Sequence, residues 1–345
     1  MKARFKKAKD IKVGVVGYGG AFNMGKGHLN EMKHAGMTPI AVVEIDAARR
    51  KVAEEEFPGI ETYSSVSQML KKSEVNLVTL ITPHNTHAKL ALECLSAGRH
   101  VVSEKPLAIT TAECDSMIKK AKQKNLMLST YHNRHWDGCI LTAKKQIQKQ
   151  KLIGDIYKVE AHMGAYGQPG DWWRSSKSIS GGILYDWGVH LLEYSLQLIQ
   201  SEITEVSGYA KKGFWAGKTA WKKDTNEDEA LATVRFKNGT WLNLCVTTLD
   251  SNPKPGQIEI TGTKGSYIMT GTDYTIVQHR SGKKIVTSGK NIANKWDEYY
   301  KDISSHLSKG TKLTITPEWS RRPIHILDLA NKSAKENRAI KAKYS

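Results

Sequence analysis

Lys105 stands in the tripeptide Glu104-Lys105-Pro106 at the end of the apolar run His100–Glu104, and Asp186 and His190 stand four apart in Asp186-Trp-Gly-Val-His190. A parallel strand delivers the side chains at its carboxyl end to a ligand crevice, so the first segment places an ammonium there. The four-residue spacing puts a carboxylate and an imidazole on one face of a helix. Together the three groups can take and return a hydroxyl proton. Each also has a plainer reading: a surface lysine, a helix-capping carboxylate and a satisfied core histidine. Asp186 and His190 would also suit two ligands of a metal. No H-E-x-x-H motif and no nearby third ligand accompany them, so no metal is expected.

A second group of residues concerns phosphate. Val13-Gly-Val-Val-Gly17-Tyr-Gly19-Gly20 follows an apolar strand, the context in which glycines let the backbone approach a pyrophosphate at a helix N-terminus. The spacing is irregular, because no glycine stands three after Gly19, while Gly25 and Gly27 come later. Glu44 ends the next strand, where an acidic group would bond the ribose hydroxyls of a dinucleotide. Asp46 is expected to cap the following helix. Thr82-Pro83-His84-Asn85-Thr86-His87 ends another strand, so Thr82, Pro83 and His87 are candidate cofactor contacts. The alternative is that this segment only turns the chain and caps a helix.

The elements that must position these groups divide into two halves. From Ile11 to about Tyr131, nearly all-apolar runs (Ile11–Val16, Pro39–Glu44, Asn76–Thr82, His100–Glu104, Leu126–Tyr131) alternate with amphipathic stretches such as Asp46–Phe57 and Ala88–Ala97, the latter stopped by Gly98. This predicts an α/β fold, a doubly wound Rossmann parallel sheet with ligands at the carboxyl ends of its strands. After it the period changes. Ala232, Val234 and Phe236 alternate with polar residues, Asn238-Gly239 supplies a hairpin turn, and Leu242, Leu244 and Val246 resume the alternation. Further strands are expected at Gln257–Ile260, Ser266–Thr270 and Thr275–His279, with helices around 136–150, 183–199 and 320–337. The expected domains are therefore residues 1–132 for dinucleotide binding and 133–345, an α+β domain with a mainly antiparallel open sheet. The last helix is placed so that it can pack back on the first domain.

The 345-residue chain, 39% hydrophobic and 25% charged, can bury a full core. Cys94, Cys114, Cys139 and Cys245 show no C-x-x-C spacing, which fits a reducing compartment and no structural zinc or disulfide framework. The basic N-terminal stretch lacks the apolar run of a signal peptide, and no run reaches membrane-span length; a cytoplasmic location is the expectation. The net charge of +18 comes largely from solvated-looking clusters: Lys2 to Lys9, Lys144 to Lys151 and Lys332 to Lys343. No nucleic-acid module accompanies them, which favours a basic surface that steers anionic ligands over a nucleic-acid partner.

Taken together, these segments resemble the Gfo/Idh/MocA oxidoreductases, the family of glucose-fructose oxidoreductase and inositol dehydrogenase. The resemblance spans nearly the whole chain: the Gly turn, Thr82-Pro83 with His87, Ala97-Gly98-Arg-His-Val-Val-Ser-Glu104-Lys105-Pro106, Asn133-Arg134, Trp173-Arg174 and Gly181-Gly182-Ile-Leu-Tyr-Asp186-Trp-Gly188-Val-His190. It implies that Lys105, Asp186 and His190 are catalytic. It further implies that Gly17, Gly19 and Glu44 contact a dinucleotide, with Gly20 and Glu104 beside them, and that the open sheet forms a homo-oligomer, a dimer or tetramer. Two departures stand out: about three extra residues in the Gly turn (Ala21 to Met24), and Glu193 where many members have Asp.

The implied chemistry is hydride transfer. His190 would act as general base on a secondary hydroxyl, while Lys105 and Asp186 orient it and Lys105 steadies developing alkoxide charge. Glu44 would repel a 2′-phosphate, so NAD is expected ahead of NADP, although Arg49 and Arg50 follow closely. Trp172, Trp173 and Arg174, with Asn133, Arg134 and Lys105, are expected to hold the substrate. Indoles beside hydrogen-bonding groups suit a sugar, sugar derivative or cyclic polyol; the alternative is that the tryptophans only pack. A net dehydrogenase leads. A redox-neutral sugar-modifying enzyme with tightly held NAD and a non-catalytic ligand sensor are the other readings, and the intact Lys105, Asp186 and His190 argue against the last.

Overall fold

The computed structural model describes residues 3–20, 22–254 and 256–344, so Lys2 and Ala21 of the segments above lie outside it. The chain forms two compact units. One comprises Met1–Asn133 with Asp297–Arg321, and the other Arg134–Trp296 with Arg322–Ser345. The first unit thus takes a segment that the sequence reading placed in the second half.

In the first unit, β1 (Lys12–Val16), β2 (Thr38–Val43), β3 (Glu61–Tyr63), β4 (Leu77–Leu80), β5 (His100–Ser103) and β6 (Leu128–Thr130) form one parallel sheet in the order β3-β2-β1-β4-β5-β6. β4, β5 and β6 are buried throughout, as strands covered on both faces must be. Between the strands run α1 (Met24–His34), α2 (Ala47–Glu56), α3 (Val66–Lys72), α4 (His87–Ser96) and α5 (Thr111–Lys124). Their ends follow local chemistry. Asp46 caps α2 by accepting the Ala48 amide, Thr110 and Glu113 form a capping box on α5, and Gly98 follows α4 at φ +79°. The strand order reverses between β1 and β4. The Gly turn, Glu44, Thr82 and Glu104-Lys105 all follow carboxyl ends of strands at or beside that switch point.

The second unit is built on a nine-stranded sheet in the order β14-β13-β12-β11-β7-β10-β9-β8-β15. Its strands are β7 (Ile156–Gly164), β8 (Ile203–Lys211), β9 (Glu229–Phe236), β10 (Trp241–Thr247), β11 (Ile258–Gly262), β12 (Gly265–Met269), β13 (Asp273–Arg280), β14 (Lys283–Lys290) and β15 (Ile340–Lys341). β9 and β10 make the Asn238-Gly239 hairpin, with Gly239 at φ +84°. The sheet is mainly antiparallel, with β7 and β10 as a parallel pair. One face buries Val159, Ala161, Val234, Leu242, Leu244 and Ile260. Helix α8 (Trp187–Leu198), which follows the shorter α6 (Gly138–Lys144) and α7 (Lys177–Ser180), packs on that face against β7 and β10. Gly188 permits its close approach, because a Cβ there would lie 3.2 Å from Leu244 Cδ2. α9 (Glu298–Lys309) belongs to the first unit, and α10 (Pro317–Glu336) begins in the first unit and ends in the second.

Candidate active site

The glycines of the first turn do different work. Gly17 sits at φ +102°, and any Cβ there would strike the Ile81 carbonyl oxygen. A Cβ on Gly19 would meet nothing within 4 Å, which leaves the backbone open to a ligand. Gly20 faces the Arg49 guanidinium, whose Nε donates to Tyr18 O at 3.0 Å. The glycine that spacing failed to supply is Gly25, in the first turn of α1. Its Cβ would come within 2.6 Å of the Tyr18 ring and 2.9 Å of Gly17 O, so it provides the tight helix–strand contact from a displaced position. Helix α1 then points its N-terminus at the turn, the arrangement that receives a phosphate.

Glu44 ends β2 with its carboxylate held by the Tyr18 amide at 2.6 Å and the Asp46 amide at 3.1 Å. Arg50 donates to the carbonyls of Glu44 and Ile45. These residues fit a dinucleotide: an open glycine backbone at a helix N-terminus, and an acidic group fixed at the neighbouring strand end.

Thr82 and Pro83 follow β4. Thr82 Oγ1 lies 2.6 Å from Thr86 Oγ1, which donates to Pro83 O. The expected cofactor contact from His87 does not match its placement. His87 is fully buried, with Nδ1 2.8 Å from Pro106 O and Nε2 2.8 Å from Thr82 O, so both ring nitrogens face backbone carbonyls. Burial lowers its pKa. Glu104 likewise turns inward: one oxygen lies 3.0 Å from His28 Nε2 and the other accepts the Lys105 amide at 2.9 Å. Lys105, at the β5 end, and Asn133, after β6, are partly exposed. His28, Glu31 and Tyr300, which build the polar interior behind this turn, were not singled out from the sequence. Nothing in their local sequence marks them, because their partners lie far apart along the chain.

In the second unit, Asp186 occupies the N-cap position of α8, yet its side chain makes no cap bond. It pairs with Arg174 instead, Nη1 to Oδ1 at 2.9 Å, which sets the capping alternative aside. Arg174 lies 5.1 Å and 5.2 Å from the Trp172 and Trp173 rings, so the indoles hold a cation. His190, 7% exposed, sits one turn into α8 with its ring 5.6 Å from that of Trp187. Arg134 lies 5.0 Å over Trp187 and donates to Asp137 at 3.1 Å. Asp137, which was not anticipated, also accepts from Tyr194 and Trp296 and thereby fixes Arg134 beside α8. Among the described residues no group of three His, Cys, Asp or Glu is arranged to hold a metal, and no helix is long and apolar enough to cross a membrane.

A parallel sheet of this order, with its glycine turn at the switch point, defines a dinucleotide-binding Rossmann fold. Residues 11–132 match the family model described as "Oxidoreductase family, NAD-binding Rossmann fold", and residues 140–268 match the GFO/IDH/MocA C-terminal domain. The chain belongs to the Gfo/Idh/MocA family of NAD(P)-dependent oxidoreductases. It is 26% identical to scyllo-inositol 2-dehydrogenase (NADP(+)) IolW of Bacillus subtilis, over 97% of both chains. It is 24% identical to myo-inositol 2-dehydrogenase of Thermotoga maritima, over 96% of this chain and 98% of that one. Among solved structures, an NAD-binding protein from Listeria innocua aligns with a TM-score of 0.80 at 27% identity, covering 97% of each chain.

Proposed function

We propose that the protein is a dehydrogenase that moves a hydride between a secondary hydroxyl of a cyclic polyol or sugar and NAD(P). The observation that carries the proposal is Lys105 at the end of β5 in this strand order, in a chain that aligns end to end with an inositol dehydrogenase. The nicotinamide, when bound, supplies the hydride acceptor. The chain's own residues supply position and proton control. His190 Nε2 or Nδ1 takes the hydroxyl proton on oxidation and returns it on reduction. Asp186, kept in place by Arg174, and Lys105 orient the hydroxyl, and the Lys105 ammonium favours the developing alkoxide. Arg134 and the Trp172-Trp173 pair contribute donors and ring faces for a polyhydroxylated substrate.

Mass spectrometry of the purified protein for retained dinucleotide, combined with an inositol and sugar panel, tests the reading. NADH or NADPH appearing in step with a keto product supports it. Product without net reduced cofactor would replace it with a redox-neutral enzyme, and no turnover with any member would refute it.

We further propose that the protein self-associates through the uncovered face of the nine-stranded sheet. Tyr209 is 64% exposed there, and Leu231, Trp241 and Ile268 are only half-buried in the single chain. Light scattering should give a dimer or tetramer that Leu231→Arg with Ile268→Arg dissociates; a monomeric parent would end the idea. None of the four cysteines is joined to another by a disulfide, which supports a cytoplasmic location.

A further inference from the structure

The Glu104-Lys105-Pro106 turn is gripped by two histidines from other elements of the first unit. His28 belongs to α1, the helix that follows the Gly turn, and is 1% exposed. Its Nε2 meets Glu104 Oε1 at 3.0 Å, while Nδ1 lies 2.7 Å from Tyr300 Oη. The other Glu104 oxygen accepts the Lys105 amide at 2.9 Å. On the far side, the His87 ring lies 2.8 Å from both Pro106 O and Thr82 O, and its single N–H donates to one of these two carbonyls. With Pro106 packed against His87 of α4 and Lys105 N fixed through Glu104, the backbone from which the lysine projects is contacted on both sides.

Partner chemistry sets the donor in the His28–Glu104 hydrogen bond. Burial raises the Glu104 carboxyl, but the His28 bond and the charges of His28 and Lys105 outweigh it and hold the group below its usual range. Glu104 is therefore an acceptor only, and His28 Nε2 must donate. Burial raises the Tyr300 phenol well above its usual range, so Tyr300 keeps its proton and can give a hydrogen bond to His28 Nδ1. The Tyr131 ring, 4.3 Å away and edge-on, fixes the ring plane.

We propose that His28 is a positioning residue for Lys105, acting through Glu104. It ties the helix that receives the cofactor pyrophosphate to the lysine that orients the substrate. The catalytic importance of this link rests on the functional reading of Lys105 above. The physical link does not, and it has its own readout. A shift of about 1 Å in a positioned group can cost about 10²-fold in rate, so loosening one end of the turn should cost a substantial part of that.

The test uses the full chain with its lysines ¹³C-dimethylated, the Lys105 resonance being the one lost in Lys105→Met. His28→Leu and the isosteric Glu104→Gln should both shift and sharpen that resonance and lower kcat by about tenfold, leaving NADH affinity unchanged. His28→Gln, whose amide can still donate to Glu104, should restore most of the rate. In a Lys105→Met background neither substitution should lower turnover further. If His28→Leu fails to fold, Glu104→Gln carries the same test. An unmoved Lys105 resonance, or losses that multiply with Lys105→Met, would overturn the proposal. Normal turnover by Lys105→Met would instead refute the functional reading, while the resonance still decides the link.

Discussion

Replacing Arg174 with Met should lower turnover by about ten- to thirtyfold while leaving dinucleotide binding intact. The guanidinium is 2.9 Å from Asp186 Oδ1 and lies against two indoles, so the variant removes the carboxylate's fixed partner and keeps an apolar side chain against the rings. Two unit charges about 4 Å apart interact by about 4 kcal/mol at an effective dielectric of ~20. Here the side chains are 24% and 36% exposed, so water and salt reduce the useful part to about 1 kcal/mol. Freeing the Asp186 rotamer adds a further loss of order 0.5–1 kcal/mol. The sum, about 1.5–2 kcal/mol, corresponds to the stated rate factor if Asp186 must be aligned in the transition state. Initial rates with a substrate from the panel, alongside NADH titration by fluorescence, would measure both quantities. Arg174→Met and Asp186→Asn should be strongly non-additive. An unchanged kcat with a raised KM would show that Arg174 binds substrate directly. An effect confined to NADH affinity would remove it from the site.

His190→Asn should cost about 10²–10⁴-fold in turnover with nearly unchanged dinucleotide affinity; near-normal rates around neutral pH would remove it as the base. NAD should bind more tightly than NADP, because the Glu44 carboxylate is pinned at the ribose end by the Tyr18 and Asp46 amides, and Glu44→Ser should narrow the gap. Parent protein that binds NADP equally well would show that Arg49, beside Gly20, dominates instead. Burial holds His100 down to about 4, where its neutral Nδ1 accepts the Met127 amide between β5 and β6. A depressed folded pKa means that stability is complete above the ordinary value of 6.5 and drains away as pH falls toward 4. Urea unfolding should therefore lose about 1.4 kcal/mol less per pH unit over that window in His100→Asn, and an unchanged slope would refute the assignment.

The first unit was legible because its parallel strands are apolar on both faces and its helices carry their own stop signals. Gly98 and Asp46 act where spacing placed them. The second unit was read only in part. In β7, small core residues Val159 and Ala161 alternate with Lys158, Glu160 and His162, too weak a contrast for a strand pattern. Along β14 almost every residue is exposed, so no inward face marks it, and pairing with β13 alone defines the strand. Helix α9 does carry a face, with Tyr299, Tyr300, Ile303 and Leu307 buried at helical spacing. Its membership of the first unit is a matter of topology, which local pattern does not encode.

The site divides the same way. Groups proposed to do chemistry are marked by type and neighbours: Lys105 before proline, Asp186 and His190 one turn apart. Groups that hold them are marked only by distance in space. His28 and Glu104 are 76 residues apart in sequence, and neither looks unusual until the fold brings their side chains together. Glu193 shows the limit from the other direction. Its extra methylene relative to the expected Asp reads as a departure, yet the carboxylate reaches His135 Nδ1 at 2.5 Å and accepts from Gln197 at 2.9 Å within a fully buried stretch of α8. A buried carboxylate needs such partners. The longer side chain and the histidine that meets it are therefore one feature, and substituting Glu193 by Asp alone would shorten its reach to His135 one turn from His190.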